Sequence, residues 1–209
     1  MCGRYVIDTN TPEMQQILAA ITYGTTYKTG EIFPNDTVPL IVGQSNAPSV
    51  ICANWGFEFN FKDKDNPEKS KSRLIFNARS ETVYSSTTFR ESAEKQRCVI
   101  PCSGFFEWSH TTSQINGKSV RKTKDKYLIQ RYYKEIMYFA GIHTFYNGKD
   151  NFVILTKPAN SSIAVIHDRM PLILDREDVR KYIFNDSFAQ GVIKNENISP
   201  LPLVLTAVS

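Results

Sequence analysis

The chain lacks the features that define secreted disulfide scaffolds and membrane proteins. It has only four cysteines in 209 residues, whereas small secreted domains are rich in disulfides. No apolar run approaches the about 20 residues of a membrane span, and no apolar signal core follows the first residues. Repeats and low-complexity tracts are also absent. We therefore expect a soluble globular protein of a reducing compartment, cytoplasmic, and associated with the nucleoid if the source is bacterial.

Neither sign of charge dominates the composition. Lys and Arg number 25 against 21 Asp and Glu, a net charge of +4, which is compatible with a polyanionic partner without requiring one. Hydrophobic residues make up 41% of the chain, enough to build a sizeable core. The length favours a single domain over residues 1–209.

Short strand-like segments outnumber helical ones, and they do not alternate regularly with helices. The pattern predicts an α+β fold with a curved, barrel-like antiparallel β core flanked by short helices. Strands are expected at 37–43, 49–55, 126–133, 136–145 and 151–156, and residues 97–108 are expected to form two short strands broken at Pro101 to Gly104. Helices are expected at 12–20 with Thr11 as cap, at 86–96, within 158–166, at 175–184 with a capping box from Asp175 to Asp178, and near 187–194. Polar, exposed loops are expected at 60–73 and 111–125.

Cys2 is the first candidate for chemistry because of its position. If Met1 is removed, Cys2 carries an α-amine with a reference pKa of about 7.7–8.0 beside a thiol of about 8.5. An amine and a thiol on adjacent carbons can trap an aldehyde, because the amine forms an imine and the thiolate then closes a thiazolidine ring. The alternative is that Cys2 is an incidental small residue near a terminus.

Three further segments carry groups suited to catalysis. Glu107 lies between aromatic residues of an apolar strand, where burial would raise its pKa and suit it to acid–base work. If that strand alternates, Glu107 shares a face with Phe105. His167 is a candidate proton shuttle, and residues 77–82 could bind a phosphate or orient a nucleophile. The alternatives are a surface glutamate, a histidine at a helix end and a simple helix cap.

Residues 118–134 hold seven basic residues and one acidic residue, with three tyrosines interleaved. Such a stretch suits contact with a nucleic-acid backbone and stacking on bases. A solvated hairpin loop is the alternative.

The sequence supports neither a metal site nor a cofactor. Cys98 and Cys102 have no second pair of Cys or His residues at a zinc-binding spacing. Phosphate-loop, dinucleotide-binding and nucleophile-elbow motifs are also missing. A Cys–His dyad stays open, because such partners lie far apart in sequence.

Several short motifs, taken in order along the chain, resemble the SOS-response-associated peptidase family, which includes abasic-site processing proteins. Each motif is weak alone, but the ordered set is specific. The matching pieces are Met1-Cys2-Gly3-Arg4-Tyr5, Trp55-Gly56, Asn77-Ala78-Arg79-Ser80-Glu81-Thr82, Arg97-Cys98 to Pro101, Gly104-Phe105-Phe106-Glu107-Trp108, Ala140-Gly141-Ile142, and Ile154-Leu155-Thr156 through to His167-Asp168-Arg169-Met170-Pro171.

The resemblance implies a positively charged cleft and a role for each matching residue. Met1 would be removed and Cys2 would become the covalent nucleophile. Asn77 would orient the Cys2 amine, Glu107 would act in acid–base steps that include release of Met1, and His167 would assist opening of the abasic sugar. Arg4 and Arg79 would bind phosphates. Trp55 and Phe57 fall in the segment that shapes the DNA-binding wedge of the family, although Phe57, Phe59 and Phe61 stand here where the family has a Pro and a second Trp.

We expect a DNA-damage protein that binds single-stranded DNA and forms a thiazolidine crosslink at abasic sites through Cys2. The resemblance also admits lyase-like activity at these sites. One alternative is a thiol-dependent peptidase that processes other polypeptides, and a second is a non-covalent single-stranded DNA-binding module. We expect a monomer without cofactor or membrane partner.

Overall fold

The computed structural model of the protein describes residues 2–62, 70–109, 112–115, 118–121, 125–194 and 202–208. These residues form short strands and helices joined by turns, three of which are 3-10 turns at Ser80–Thr82, Tyr132–Lys134 and Arg176–Asp178. In chain order the strands and α-helices are β1 (Tyr5–Ile7), α1 (Pro12–Ala19), β2 (Gly30–Ile32), β3 (Thr37–Gln44), β4 (Ala47–Trp55), β5 (Phe57–Lys62), β6 (Ser70–Ile75), β7 (Asn77–Arg79), α2 (Arg90–Lys95), β8 (Arg97–Cys102), β9 (Gly104–Trp108), β10 (Thr112–Ile115), β11 (Lys118–Arg121), β12 (Lys126–Arg131), β13 (Met137–Tyr146), β14 (Lys149–Pro158), α3 (Ser161–Ala164), β15 (Arg169–Pro171), β16 (Ile173–Leu174), α4 (Val179–Phe184), α5 (Asp186–Ile193) and β17 (Leu203–Val208).

Two larger sheets dominate the architecture. One has the strand order β17-β12-β9-β1-β2, and all its pairings are antiparallel. The other has the order β15-β14-β4-β3-β8-β13-β16, with β7 also pairing with β14. In this second sheet β14 runs parallel to β4 and β7. The predicted α+β class with a barrel-like β core is confirmed.

An aromatic cluster joins the two sheets at β1. The Tyr5 ring lies 5.0 Å from Trp55 and 6.2 Å from Phe139, measured between ring centroids. Phe105 contacts Phe139 at 5.8 Å. All four side chains are fully buried, and edge-to-face pairs of this kind stabilise beyond their buried area. The cluster therefore holds the start of the chain against the second sheet, and Cys2 with it.

The strand expectations hold for most apolar segments and fail for the polar ones. Residues 60–73 and 111–125 were expected to be loops, but β5 pairs with β6 and β10 pairs with β11 as antiparallel hairpins. In β5 the residues Phe57, Phe59 and Phe61 do alternate with polar ones, but β6 begins with four polar residues, and β10 and β11 each carry a single apolar residue. Residues 63–69 of the first expected loop, and residues 111, 116–117 and 122–124 of the second, lie outside the described residues.

Of the two predicted helix caps, one is present in the structure and one is not. The Thr11 side chain accepts a hydrogen bond from the backbone of Met14 at 3.3 Å, as predicted for the start of α1. Asp175 makes no such cap, because its carboxylate faces Arg131 at 3.5 Å. The expected helix at 175–184 is a 3-10 turn followed by α4, and α2 is shorter than the expected 86–96. No helix in the described ranges is both long and apolar enough to cross a membrane.

Candidate active site

Strands β1 and β9 bring the amino terminus beside Glu107. Tyr5 pairs with Phe105, and the backbone N–H of Phe106 donates to the Arg4 carbonyl at 2.9 Å. Glu107 is 3% exposed and Phe105 is fully buried, so the predicted sharing of one strand face agrees with their burial. Glu107 lies opposite Tyr127 of β12. An antiparallel ladder thus carries a carboxyl group into the protein near the first residues.

Cys2 is fully buried and is held by Asn77. The Asn77 side-chain amide donates to the Cys2 carbonyl at 2.7 Å. Asn77 begins β7, which is fixed by parallel pairing with β14. Within the described part of the chain, the other amide atom of this side chain, Oδ1, is buried without a hydrogen-bond partner. Asn77 therefore presents an unfilled acceptor beside residue 2.

Burial governs the protonation of both candidate catalytic groups. It raises the pKa of the Cys2 thiol above its ordinary value, and the nearby Glu107 charge raises it further. Burial also raises the pKa of Glu107 itself, and the Asp168 carboxylate acts in the same direction. The Glu107 charge disfavours ionisation of the Cys2 thiol because both groups sit in a poorly solvated region, whereas the Asp168 side chain is 85% exposed. Cys2, Glu107 and the segment around Asp168 therefore lie within electrostatic reach of one another.

His167 follows α3 and has a nearly buried side chain. Its Nδ1 atom accepts a hydrogen bond from the backbone N–H of Arg169 at 3.0 Å, and Asp168 Oδ1 lies 3.0 Å from the same nitrogen. In the neutral ring Nδ1 accepts, so the proton is assigned to Nε2. Asp168 and Arg169 thus both contact the same ring nitrogen and orient the imidazole.

Arg169 ties the histidine segment to the Asn77 segment. Its guanidinium makes two hydrogen bonds to the carboxylate of Glu81, one of them 2.9 Å long. The same group donates to the Thr156 carbonyl at 2.6 Å and to its hydroxyl at 3.2 Å. The hydrogen bonds from Arg169 lower the pKa of Glu81 below its ordinary value. The sequence motifs contained both residues, but nothing in them indicated that the two would pair.

Arg4 directly precedes β1 and packs against aromatic side chains of the first sheet and its flanking segment. Its guanidinium stacks 4.5 Å from the centroid of Phe33 and 5.0 Å from that of Trp108. It also approaches Glu31 Oε1 at 3.2 Å, and Lys126 Nζ reaches the same oxygen at 3.2 Å. Lys126 lies in turn 4.1 Å from the centroid of Phe106. We call this set the cation–aromatic face: Arg4, Glu31, Phe33, Phe106, Trp108 and Lys126.

The remaining predicted DNA contacts fare differently. Arg79 is exposed at the end of β7. Trp55 is fully buried, and its indole N–H donates to the Phe76 carbonyl at 2.8 Å. Phe57 is 5% exposed and packs against Phe89. The expected direct DNA contact by Trp55 and Phe57 is therefore corrected: both are core residues, because β4 and the start of β5 turn them inward.

The structure offers no metal-ligand arrangement among the residues it describes, since it contains no group of three or more His, Cys, Asp or Glu side chains placed to hold an ion. Cys98 and Cys102 are free, buried thiols. Burial raises the pKa of each thiol well above its ordinary value. Both belong to β8, which is buried along its whole length.

Comparison with known families shows which family shares this arrangement of candidate site residues. The model of the family described as SOS response associated peptidase (SRAP) matches residues 1–202. The chain belongs to the SRAP family. The match covers every candidate site residue from Cys2 to His167 and ends just before β17.

Several similar SRAP proteins carry related names. The chain is 27% identical over 195 residues to the abasic site processing protein YoqW of Bacillus subtilis, covering 88% of this chain and 80% of that protein. It is 33% identical over 136 residues to the abasic site processing protein YMR114C of Saccharomyces cerevisiae, covering 64% of this chain. The matched part is 34% of the yeast protein, so the chain spans about a third of that relative.

Solved structures share the SRAP fold seen here. A crystal structure of a protein from Bacteroides thetaiotaomicron has a TM-score of 0.71 at 21% identity and covers 100% of this chain and 92% of its own. Another from Bordetella bronchiseptica has a TM-score of 0.70 at 22% identity and covers 100% of both chains. At this identity the likeness establishes the fold alone.

Proposed function

We propose that this SRAP protein captures abasic sites in single-stranded DNA as a thiazolidine on Cys2, after Met1 has been removed. The relatives named as abasic site processing proteins support the substrate. The observation that carries the proposal is the half-buried Asn77 side chain, which donates to the Cys2 carbonyl and whose buried Oδ1 atom has no partner among the described residues. A free α-amine on Cys2 would supply the missing donor. Buried polar atoms without partners are uncommon in folded proteins and invite such an explanation.

Removal of Met1 is the first step of the proposal. Water adds across the Met1–Cys2 peptide bond, and the bond breaks to release methionine and a free Cys2 amine. Glu107 is suited to move the protons of this hydrolysis, since burial raises its pKa toward neutrality. Asn77 holds the Cys2 carbonyl during attack.

Capture of the sugar follows in two bond-forming steps. The closed sugar opens to an aldehyde when the ring oxygen gains a proton and the anomeric hydroxyl loses one, which is the role proposed for His167. The Cys2 amine then adds to the aldehyde carbon, and loss of water leaves an imine. The sulfur next adds to the imine carbon while the thiol proton passes to the nitrogen, which closes the five-membered ring.

The raised pKa of the Cys2 thiol fits this order of events. A thiol that keeps its proton is a poor nucleophile, so both thiazolidine closure and the alternative peptidase reaction need a base near the sulfur. In thiazolidine closure the nearby Glu107 can accept the thiol proton as sulfur attacks and pass it to the ring nitrogen. The same carboxyl group therefore serves both proposed reactions.

Phosphate contacts would hold the strand across the site. Arg4 begins the cation–aromatic face two residues from Cys2, and exposed Arg79 follows Asn77 on β7. Guanidinium groups are suited to phosphates because their paired N–H donors match two oxygens. The proposed DNA substrate also implies where the protein acts. We propose that it acts in the cytoplasm, associated with the nucleoid if the source is a bacterium.

The proposal is tested with single-stranded DNA that carries one abasic site. Mature protein, checked for loss of Met1 by intact mass, should form an adduct that survives heat and denaturing gels. Undamaged DNA should form none, because it offers no aldehyde. Cys2→Ala should give only an imine that borohydride traps, and Cys2→Ser should capture weakly because a hydroxyl is a far poorer nucleophile. His167→Ala should slow capture by about 10²–10⁴-fold, as expected for loss of a general acid.

Cys102→Ala is the matched control, because Cys102 is also a buried thiol with a raised pKa. It should crosslink at the wild-type rate. A heat-stable adduct with Cys2→Ala, or loss of the adduct with Cys102→Ala, would refute the mechanism. Cleavage of a peptide without any adduct would favour the peptidase alternative, and salt-sensitive binding without an adduct would favour the binding module.

A further inference from the structure

One carboxylate oxygen is shared by two cations on the cation–aromatic face. Arg4 Nη1 and Lys126 Nζ each lie 3.2 Å from Glu31 Oε1. Lys126 lies on β12 and Glu31 on β2, which β9 and β1 separate in the first sheet, and Arg4 directly precedes β1. Glu31 Oε1 therefore contacts two cations, Arg4 and Lys126, that lie on opposite sides of β9. Partial burial raises the pKa of Glu31, but its contacts with Lys126 and Arg4 outweigh this effect and lower the pKa below its ordinary value.

Both cations are accessible and already oriented. The exposed fractions of the side chains are 29% for Arg4 and 25% for Lys126. Arg4 is held between the rings of Phe33 and Trp108, and Lys126 lies over Phe106. Cation–π contacts fix the position of a charge without neutralising it. Arg4 and Lys126 thus form a preorganised site for a small anionic group. The Glu31 carboxylate occupies this site in the structure.

The position of the pair relative to the candidate site favours one kind of anion. Arg4 lies two residues from Cys2, a distance of at most about 7 Å along the chain. Lys126 is the register partner of Trp108, which directly follows Glu107. A strand of DNA joined covalently to Cys2 would carry its neighbouring phosphodiesters past these side chains, over aromatic rings on which bases can stack.

We propose that Arg4 and Lys126 together form a phosphodiester-binding site for single-stranded DNA, and that Glu31 occupies this site in the free protein and must be displaced. The inference rests on the proposed DNA substrate and extends it to Glu31, which no motif assigns, and to Lys126 as one particular residue of the basic stretch 118–134. Glu31 acts as an internal competitor, because any polyanion must displace it in order to bind. This lowers the affinity for undamaged polyanions, whereas covalent capture at Cys2 can offset the cost for DNA with an abasic site.

Glu31→Gln tests the competition directly. The variant keeps the shape of the side chain and removes its charge, and it should bind a fluorescein-labelled oligothymidylate about ten-fold tighter than wild type, since two ion pairs no longer compete. In the double variant Glu31→Gln with Lys126→Met, one phosphate contact is lost. The slope of log affinity against log salt should then fall in magnitude by about 0.7 relative to Glu31→Gln. Fluorescence anisotropy across a salt series measures both quantities.

Asp178→Asn, alone and with Lys181→Met, is the matched control. This exposed pair is joined at 2.8 Å, and neutralising it changes the net charge in the same way. It lies beyond the far end of β12, next to Asp175, which pairs with Arg131. The control variants should keep wild-type affinity and salt slope, because charges more than a Debye length apart are screened.

The outcomes separate this inference from the proposed function. If wild type crosslinks abasic DNA while Glu31→Gln leaves affinity and salt slope unchanged, the shared site is refuted and the proposed function stands. If no crosslink forms but Glu31→Gln tightens binding and the double variant loses slope, the site stands and the proposed chemistry is refuted. If no variant binds the oligonucleotide at low salt, or if the Asp178 control tightens binding equally, the inference is overturned.

Discussion

Replacing Arg169 with Met should destabilise the protein far more than an ordinary surface change. The Arg169 side chain is 11% exposed, and its guanidinium serves Glu81 and Thr156. Thr156 is fully buried, so losing the donor to its carbonyl should cost about 1–3 kcal/mol. The ion pair with Glu81, whose side chain is 43% exposed, adds about 1 kcal/mol after allowance for solvent screening. The free energy of unfolding should therefore fall by roughly 2–4 kcal/mol.

A change of this size is measurable in two ways. For a chain of this length each kcal/mol corresponds to about 2–4 °C in Tm, so Arg169→Met should melt roughly 4–16 °C below wild type. Urea unfolding should show a lower midpoint with an unchanged slope, since the folded and unfolded states keep their exposed areas. The matched control is Arg79→Met, which removes the same group from an exposed position on the neighbouring segment and should cost within about 0.5 kcal/mol. If both variants lose equal stability, Arg169 does not join the two segments.

The remaining predictions concern buried charge. Burial raises the pKa of Glu107 in the folded protein above its unfolded value, so the stability it contributes is full below the unfolded pKa and is lost as pH rises through the folded pKa. Glu107→Gln should therefore unfold at higher urea than wild type near about pH 8 and show no such gain near about pH 4; a gain of equal size at both would contradict the raised pKa. Arg97→Met should cost about 2–4 kcal/mol, because the nearly buried guanidinium donates to the carbonyls of Tyr182 and Ile183 as well as to Asp186. Asp186→Asn should cost less than about 1 kcal/mol, because the Asp186 side chain is 75% exposed; urea unfolding that ranks the two variants the other way would refute this account.

Local sequence patterns were sufficient to predict the features that depend only on neighbouring residues. The Thr11 cap, the apolar strands and the shared face of Phe105 and Glu107 follow from spacing along a few residues. The ordered motifs also indicated the family, because their residue types and sequence order survive without knowledge of the fold. The hairpin formed by β5 and β6 escaped prediction because β6 begins with four polar residues and shows no apolar alternation, although β5 alternates Phe57, Phe59 and Phe61 with polar residues.

Tertiary structure decided which side chains meet. Asn77 reaches Cys2 because β7 pairs with β14, and Arg169 reaches Glu81 because β15 lies on the other edge of the same strand. Trp55 and Phe57 turned inward, although their motif placed them among the DNA contacts. Lys126 belonged to a basic stretch whose members looked alike in sequence, and sheet register alone set it opposite Trp108 and within reach of Glu31. Composition and periodicity indicate whether each residue is buried or exposed. The partner of a residue on a distant strand is instead set by the pairing register of the whole sheet. The chemistry of Cys2 depends on partners of this second kind.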